Sequence, residues 1–258
     1  MHAIERADYI MAMLDKNKVV MVSELSREMQ VTEETVRKDL EKLEKQGRLC
    51  RVHGGAYLQE GYGNEIPVKV RRKIMTGEKE RLAARCMELI REQESIFLDG
   101  STTAWHLAKQ LAKWEGRLTV ITNSLVIATE LAVNPKIRLI LFGGELNHVT
   151  GSFEGQSVLA GLGECYVEKA FISSTGISLT AGITDSTRGE AEIRRQVIKQ
   201  ARTCIMVMDT TKIGRNAIYV VGALADIDCL VVDQPLSSCD PAIQEQMDQL
   251  QIPVLDCG

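Results

Sequence analysis

Hydrophobic positions along the first 56 residues recur at helical spacing. Ile4, Ile10, Met13 and Leu14 predict an amphipathic first helix, and Ser23 is placed to cap a short second helix carrying Leu25 and Met29. Thr32 suits an N-cap, with Glu33 and Glu34 favourably placed in the first turn of a third helix. Val36, Leu40 and Leu43 fall on one stripe of that helix at i, i+4, i+7. The opposite arc carries Glu34, Thr35, Arg37, Lys38, Glu41, Lys42 and Lys45. Gly47 ends the helix. "RLCRVHGGAYL" then alternates into a hairpin whose turn is Gly54-Gly55, both glycines being expected at positive φ.

From Glu78 the pattern changes. A helical stretch, "GEKERLAARCMELI", precedes apolar runs that alternate with further helical segments. The runs are "SIFLD", "LTVIT", "IRLILF", "KAFISS", "TCIMVMD", "CLVVD" and a short final "VLD". Near-continuous aliphatic strands between helices predict a mostly parallel sheet covered on both faces, hence an α/β body. Residues 58–77, with Gly61, Gly63, Pro67 and the basic run "KVRRK", read as a linker whose basic run either touches DNA backbone or forms a solvated hinge. The expected organisation is a small head over 1–57, the linker over 58–77 and a larger body over 78–258.

Charge changes this picture locally. The 258-residue chain carries a formal net charge of −4, which counts against a nucleic-acid partner. Between Thr35 and Arg51, however, six basic residues (Arg37, Lys38, Lys42, Lys45, Arg48, Arg51) face three acidic ones (Asp39, Glu41, Glu44). Two helices joined by a short turn, the second presenting Thr, Arg and Lys, followed by a basic hairpin, predict a winged helix-turn-helix. A small helical packing module with a solvated charged face is the alternative.

Composition removes other classes. A hydrophobic fraction of 45% with 26% charged residues is that of a globular protein with a real core. Apolar runs fall short of a membrane span and no secretory leader is read, so a cytoplasmic setting is expected. Seven cysteines without a CxxC pair argue against a zinc ribbon or disulfide framework, and most are expected to be small core residues. His2, His53, His106 and His148 are dispersed, so neither a metal site nor a nucleophile–histidine pair is expected.

The candidate chemistry lies at the strand ends, where parallel α/β sheets bind ligands. In order they read Asp99-Gly100-Ser101-Thr102-Thr103, Thr122-Asn123-Ser124, Gly143-Gly144, Thr175-Gly176 and Asp209-Thr210-Thr211-Lys212. Ser101, Thr102 and Thr103 open a helix, whose free N–H groups and positive dipole end favour an anion. Each such turn, taken singly, also serves as an ordinary N-cap. Neither G-x-x-x-x-G-K-[ST] nor G-x-G-x-x-G occurs, so no nucleotide cofactor is expected.

"VSELSREMQVTEETVRKDLEKLEKQGRLCRVHGGA" resembles the N-terminal signature of the DeoR family of bacterial sugar-operon regulators over about 35 continuous residues. "LDGSTT", "LTVITNS", "GEAEIRR" and "DTTKIGR" resemble successive blocks of that family's effector domain, extending the likeness from Glu5 to about Asp256. The resemblance implies operator DNA contacted by Thr32, Thr35, Arg37, Lys38, Arg51 and His53. It also implies a body similar in fold to ribose-5-phosphate isomerase and the CoA transferases. A phosphorylated sugar or polyol would be its effector, held around Asp99, Ser101, Thr102, Thr103, Asn123, Ser124, Gly144, Gly176, Glu190 and Lys212. Lys38 stands where Arg is commoner, which keeps the charge but loses the bidentate fork. Ser101 replaces a frequent Gly, and "DTTK" replaces "D-S-S-K".

Two functions compete on these residues. One is a transcriptional regulator, expected to be a repressor and a homo-oligomer (dimer or tetramer), released from DNA when the effector binds. The other is a sugar-phosphate isomerase carrying a DNA-binding head, with Asp99, Glu190 and Lys212 supplying base and electrophile. A DNA-binding head makes sensing the simpler account. A constitutive DNA-binding scaffold would require empty strand-end turns.

Overall fold

A computed structural model describes residues 2–52, 54–58 and 68–258. The chain divides into two compact units, residues 1–76 and 77–258. The first begins with helix α1 (Ala3–Asn17), strand β1 (Val19–Met21), helix α2 (Val22–Met29) and helix α3 (Glu33–Lys45). Ile10 and Leu14 of α1 are buried, whereas Ile4 is 78% exposed and lies off the buried stripe. α2 starts at Val22 with Met21 as its N-cap, so Ser23 lies inside the first turn rather than capping it. Thr32 caps α3, its Oγ1 accepting from Thr35 N at 3.3 Å, and Val36, Leu40 and Leu43 enter the core.

The wing is formed by β2 (Cys50–Val52) and β3 (Gly55–Tyr57), and β1 adds to the far side of β3, giving the order β1-β3-β2. Gly54 takes the expected positive φ, +82°. Gly55 does not; it is a glycine for a different reason. A Cβ there would sit 2.2 Å from the carbonyl oxygen of Val20, because β1 crosses it at close range. Gly55→Val should therefore break the β1–β3 pairing and cost the head about 1–3 kcal/mol or more by overpacking. DNA binding should weaken while the body is untouched. Both tryptophans, Trp105 and Trp114, lie in the second unit, so an unchanged tryptophan-fluorescence melt together with lost amide protection at Val20 and Ala56 is the expected signature. A shifted tryptophan melt would contradict it.

The linker expected over 58–77 is shorter than that span. Helix α4 (Val68–Arg71) and the turn after it belong to the first unit, where Val70 and Ile74 are buried with Val19 and Tyr57. The apolar residues inside "VKVRRKIM" are what the linker reading overlooked. Gly61, Gly63 and Pro67 lie outside the described residues.

The second unit opens with α5 (Thr76–Met87), β4 (Ser95–Leu98), α6 (Thr102–Leu111), β5 (Leu118–Thr122), α7 (Leu125–Leu131) and β6 (Ile137–Leu141). A hairpin, β7 (Glu145–Asn147) and β8 (Ser152–Glu154), leads to α8 (Gln156–Gly163) and β9 (Val167–Ile172). Then come β10 (Gly176–Ser178), β11 (Gly182–Asp185), α9 (Arg188–Gln200), β12 (Ala201–Met208) and β13 (Tyr219–Gly222). β14 (Cys229–Val232), α10 (Leu236–Cys239), α11 (Pro241–Gln249) and β15 (Val254–Leu255) complete it. The main sheet has seven strands in the order β15-β14-β12-β9-β4-β5-β6, and every pairing in it is parallel. These strands are the runs that the aliphatic pattern predicts. Helices cover both faces, over two apolar clusters centred on Phe97, Ile172 and Met206 on one side and on Leu98, Phe171 and Val207 on the other.

Strand order locates the crevice. From β4 the chain steps outward through β5 to β6, returns to pair β9 against the other side of β4, and then steps the opposite way through β12 and β14. The direction reverses between β4 and β9, and at such a reversal the connecting segments diverge and leave a groove at the carboxyl ends of the two strands. A separate antiparallel sheet, β10-β11-β13, lies outside the seven strands.

Candidate functional sites

The head presents the outward face of α3. Arg37 and Lys38 are exposed, and each is paired one turn back with a carboxylate of the same helix: Arg37 Nη2 to Glu33 Oε2 at 2.5 Å, and Lys38 Nζ to Glu34 Oε1 at 2.8 Å. The hydrogen bond from Lys38 holds the Glu34 carboxyl below the usual carboxylate range. Thr35 Oγ1 lies 2.9 Å from Thr32 Oγ1, which puts both hydroxyls at the start of the helix. Arg51 on β2 is fastened to Glu44, through its backbone N at 3.0 Å and its Nε at 2.7 Å, so the wing is tied to the end of α3. His53 lies outside the described residues. Arg6 was not among the sequence candidates; its fork grips Asp39 at 2.6 and 3.1 Å and joins α1 to α3.

In the second unit, the loop after β4 sits at the switch point. Asp99 is 1% exposed and fully engaged. Its Oδ1 accepts from Ser101 N (3.1 Å), and its Oδ2 accepts from Ser173 N at the end of β9 (2.9 Å) and from Arg194 Nε (2.8 Å). Arg194, on α9, also pairs with Asp185 (2.6 Å) and Glu190 (2.7 Å). Burial disfavours its positive charge, but Asp185, Glu190 and Asp99 outweigh that and raise its pKa above the ordinary arginine value. Asp99 and Glu190, which the resemblance places among the effector contacts, are thus held in a buried cluster that fixes the loop to β9, β11 and α9.

The remaining candidates divide. Ser101 caps α6, its Oγ accepting from Ala104 N at 3.1 Å. That leaves the first-turn N–H groups of Thr102 and Thr103 at the helix start. Thr103 Oγ1 has no hydrogen-bond partner among the described residues and lines a small cavity with Cys86, Phe171 and Val207. Asn123 donates from Nδ2 to Phe153 O (2.9 Å), which straps the β7–β8 hairpin to the end of β5. Ser124 caps α7. Lys212, in a short 3₁₀ turn after β12, reaches back to Ser173 Oγ at 3.0 Å, on the same residue whose N–H binds Asp99. Asp99, Thr102, Asn123 and Lys212 therefore gather around the ends of β5, β4, β9 and β12.

The two glycine candidates serve packing. A Cβ on Gly144 would meet Glu154 O at 2.5 Å, and one on Gly176 would meet Arg215 O at 2.4 Å. Gly100 has a similar role, since Ser152 Oγ would lie 2.1 Å from its Cβ. Ser152, Ser173, Asp185 and Arg194 are site residues that the sequence reading missed. Only the Glu190–Arg194 spacing carried a signal, the i, i+4 pairing of opposite charges on one helix face. Glu154 is also half-buried on the hairpin, and burial raises its pKa despite the hydrogen bond from Asn147.

Among the cysteines, Cys86, Cys204 and Cys229 are buried, Cys50, Cys165 and Cys257 are intermediate and Cys239 is exposed, so fewer are core residues than expected. Burial pushes the Cys229 thiol up to about 11, which disfavours thiolate chemistry there. Among the described residues, no group of three His, Cys, Asp or Glu side chains could hold a metal ion. No described helix is long and apolar enough to cross a membrane.

Comparison with known proteins bears on both halves. Residues 6–61 match the DeoR-like helix-turn-helix domain, and residues 74–234 match the DeoR C terminal sensor domain. The chain belongs to the DeoR family. It is 35% identical over 250 residues to an uncharacterized HTH-type transcriptional regulator, YulB of Bacillus subtilis, covering 97% of this chain and 95% of that one. The HTH-type transcriptional regulator GolR of Listeria innocua is 34% identical, with 98% of each chain covered. The glycerol-3-phosphate regulon repressor of Escherichia coli is 30% identical, with 91% of this chain and 92% of the repressor covered. These names are those of regulators, so this DeoR-family chain is a DNA-binding transcriptional regulator, and the isomerase alternative is set aside. Among solved structures, ribose 5-phosphate isomerase A of Methanocaldococcus jannaschii aligns over 54% of each chain at 17% identity and a TM-score of 0.40.

Proposed function

We infer that this regulator represses a sugar or polyol utilisation operon and is released when a phosphorylated sugar or polyol occupies the groove at the ends of β4, β9 and β12. The observation that carries this reading is the convergence, in a DeoR sensor domain, of the α6 N-terminus with Lys212 at the switch point. Both favour an anion: the helix start through Thr102 and Thr103 N–H groups, and Lys212 through its charge. Asn123 and Ser124 would then meet sugar hydroxyls, while Asp99 and Glu190 keep the loop in place through Arg194. A relative at 30% identity is named for glycerol 3-phosphate, which supports a phosphorylated polyol as the class.

On the DNA side, Thr32, Thr35, Arg37 and Lys38 form the reading end of α3, with Arg51 on the wing, and His53 follows it two positions on in the sequence. A single head buries too little surface to select an operator, so a symmetric dimer or tetramer reading repeated half-sites is the working form. The test is a thermal-shift screen of sugar and polyol phosphates against their unphosphorylated parents. A ligand present at 100 times its Kd stabilises the folded protein by about 2.7 kcal/mol. Stabilisation by one phosphorylated compound and not by its parent, with the compound recovered unchanged, is the expected result. Equal stabilisation by the parent, or conversion of the compound to an isomer, would overturn it.

A further inference from the structure

The reading end of α3 is electrically balanced. Two cations stand in its exposed first half, Arg37 and Lys38, and each is engaged by a carboxylate in the turn before it, Glu33 and Glu34. Further along, Lys45 pairs with Glu41 at 2.6 Å and Arg51 with Glu44 at 2.7 Å. The pairs are solvent-exposed, the side chains of Lys38 and Glu34 by 73% and 75%. Exposed pairs of this kind contribute little to stability, so their effect is to be sought in what the helix binds.

Sequence-independent attachment to DNA is driven by cations that neutralise phosphates and release counterions, and its salt dependence counts them. The N-terminal residues of a recognition helix lie closest to the bases and their flanking phosphates. Carboxylates at that end repel every phosphate backbone alike, and they occupy the cations that would otherwise bind it. We propose that Glu33 and Glu34 determine specificity by restraint: they hold Arg37 and Lys38 in ion pairs and so suppress binding to non-operator DNA. The cations are given up only where correctly placed base edges compensate for the exchange. The placement is economical, because the same two carboxylates favour the helix by lying against the positive end of its dipole. The inference rests on α3 being the DNA-contacting element.

The test uses the full-length chain and a random-sequence 30-base-pair duplex, titrated between 50 and 200 mM KCl. Wild type is compared with Glu33→Gln, Glu34→Gln, the double variant and Glu41→Gln, a control that breaks the equivalent pair at the far end of the helix. The double variant should bind the random duplex about tenfold more tightly at 50 mM, with a log–log salt slope steeper by about one to two units, close to 0.9 for each phosphate newly neutralised. Glu41→Gln should change both much less. Circular dichroism and the melt of the head show whether the helix persists, which Thr32 as N-cap favours. Unchanged affinity and slope in the folded double variant would overturn the proposal, as would weaker binding or an equal effect from Glu41→Gln. Absence of binding by wild type and all variants at 50 mM would overturn the DNA-facing role of α3 itself, a result distinct from binding that does not respond to the carboxylates.

Discussion

Arg194→Met should lower the stability of the body by about 3–5 kcal/mol at neutral pH, the cost of leaving buried charge without its partner. For a unit of this size that corresponds to a melting temperature lower by roughly 6–20 °C. Asp99, Asp185 and Glu190 all converge on this one guanidinium, and all are nearly inaccessible to water. Without the cation, three carboxylates are left buried beside one another with no opposite charge to offset their desolvation and mutual repulsion. Tryptophan-fluorescence denaturation reads the body alone, because Trp105 and Trp114 both lie in it. A loss under 1 kcal/mol would show that the cluster does not anchor the Asp99–Thr103 loop.

Thr102→Glu should abolish the response of operator binding to the effector. A carboxylate in the first turn of α6 meets the same N–H groups and dipole end that would receive a phosphate. It either repels the ligand or imitates it, so the variant is locked as the unliganded or the liganded form. In both cases the coupling between effector and DNA, typically about 1–3 kcal/mol or 5–150-fold in affinity, disappears. Operator affinity measured with and without the stabilising sugar phosphate gives this directly. A normal ligand-induced loss of DNA affinity in Thr102→Glu would place the phosphate away from α6.

Much of this arrangement was legible from residues close in sequence. The stripe Val36, Leu40, Leu43, the Thr32 cap and the aliphatic strands are set by local periodicity, and the structure forms them where the pattern puts them. The readings that failed depend on partners distant in the chain. Gly55 looked like a turn glycine but is a strand residue kept small because β1 passes its Cα; Ile4 fits the helical period but finds no core. The pairing of Asp99 and Glu190 with Arg194, 95 residues from Asp99, likewise could not be read locally, because buried structural ion pairs and binding-site carboxylates use the same residue types.

By itself the sequence determined the two-part plan and the strand-turn-helix units, because each follows from spacing of a few residues along one element. Pairs one helical turn apart, such as Glu33 with Arg37 and Glu34 with Lys38, can be read without any tertiary information. Only the tertiary structure decided that β9 returns beside β4, and with it where the groove opens, which carboxylates are already engaged and that Lys212 arrives at Ser173. Strand order is fixed by which apolar surfaces bury one another across the whole sheet, and the pairing of β4 with β9 joins residues more than seventy positions apart. No local pattern carries that choice.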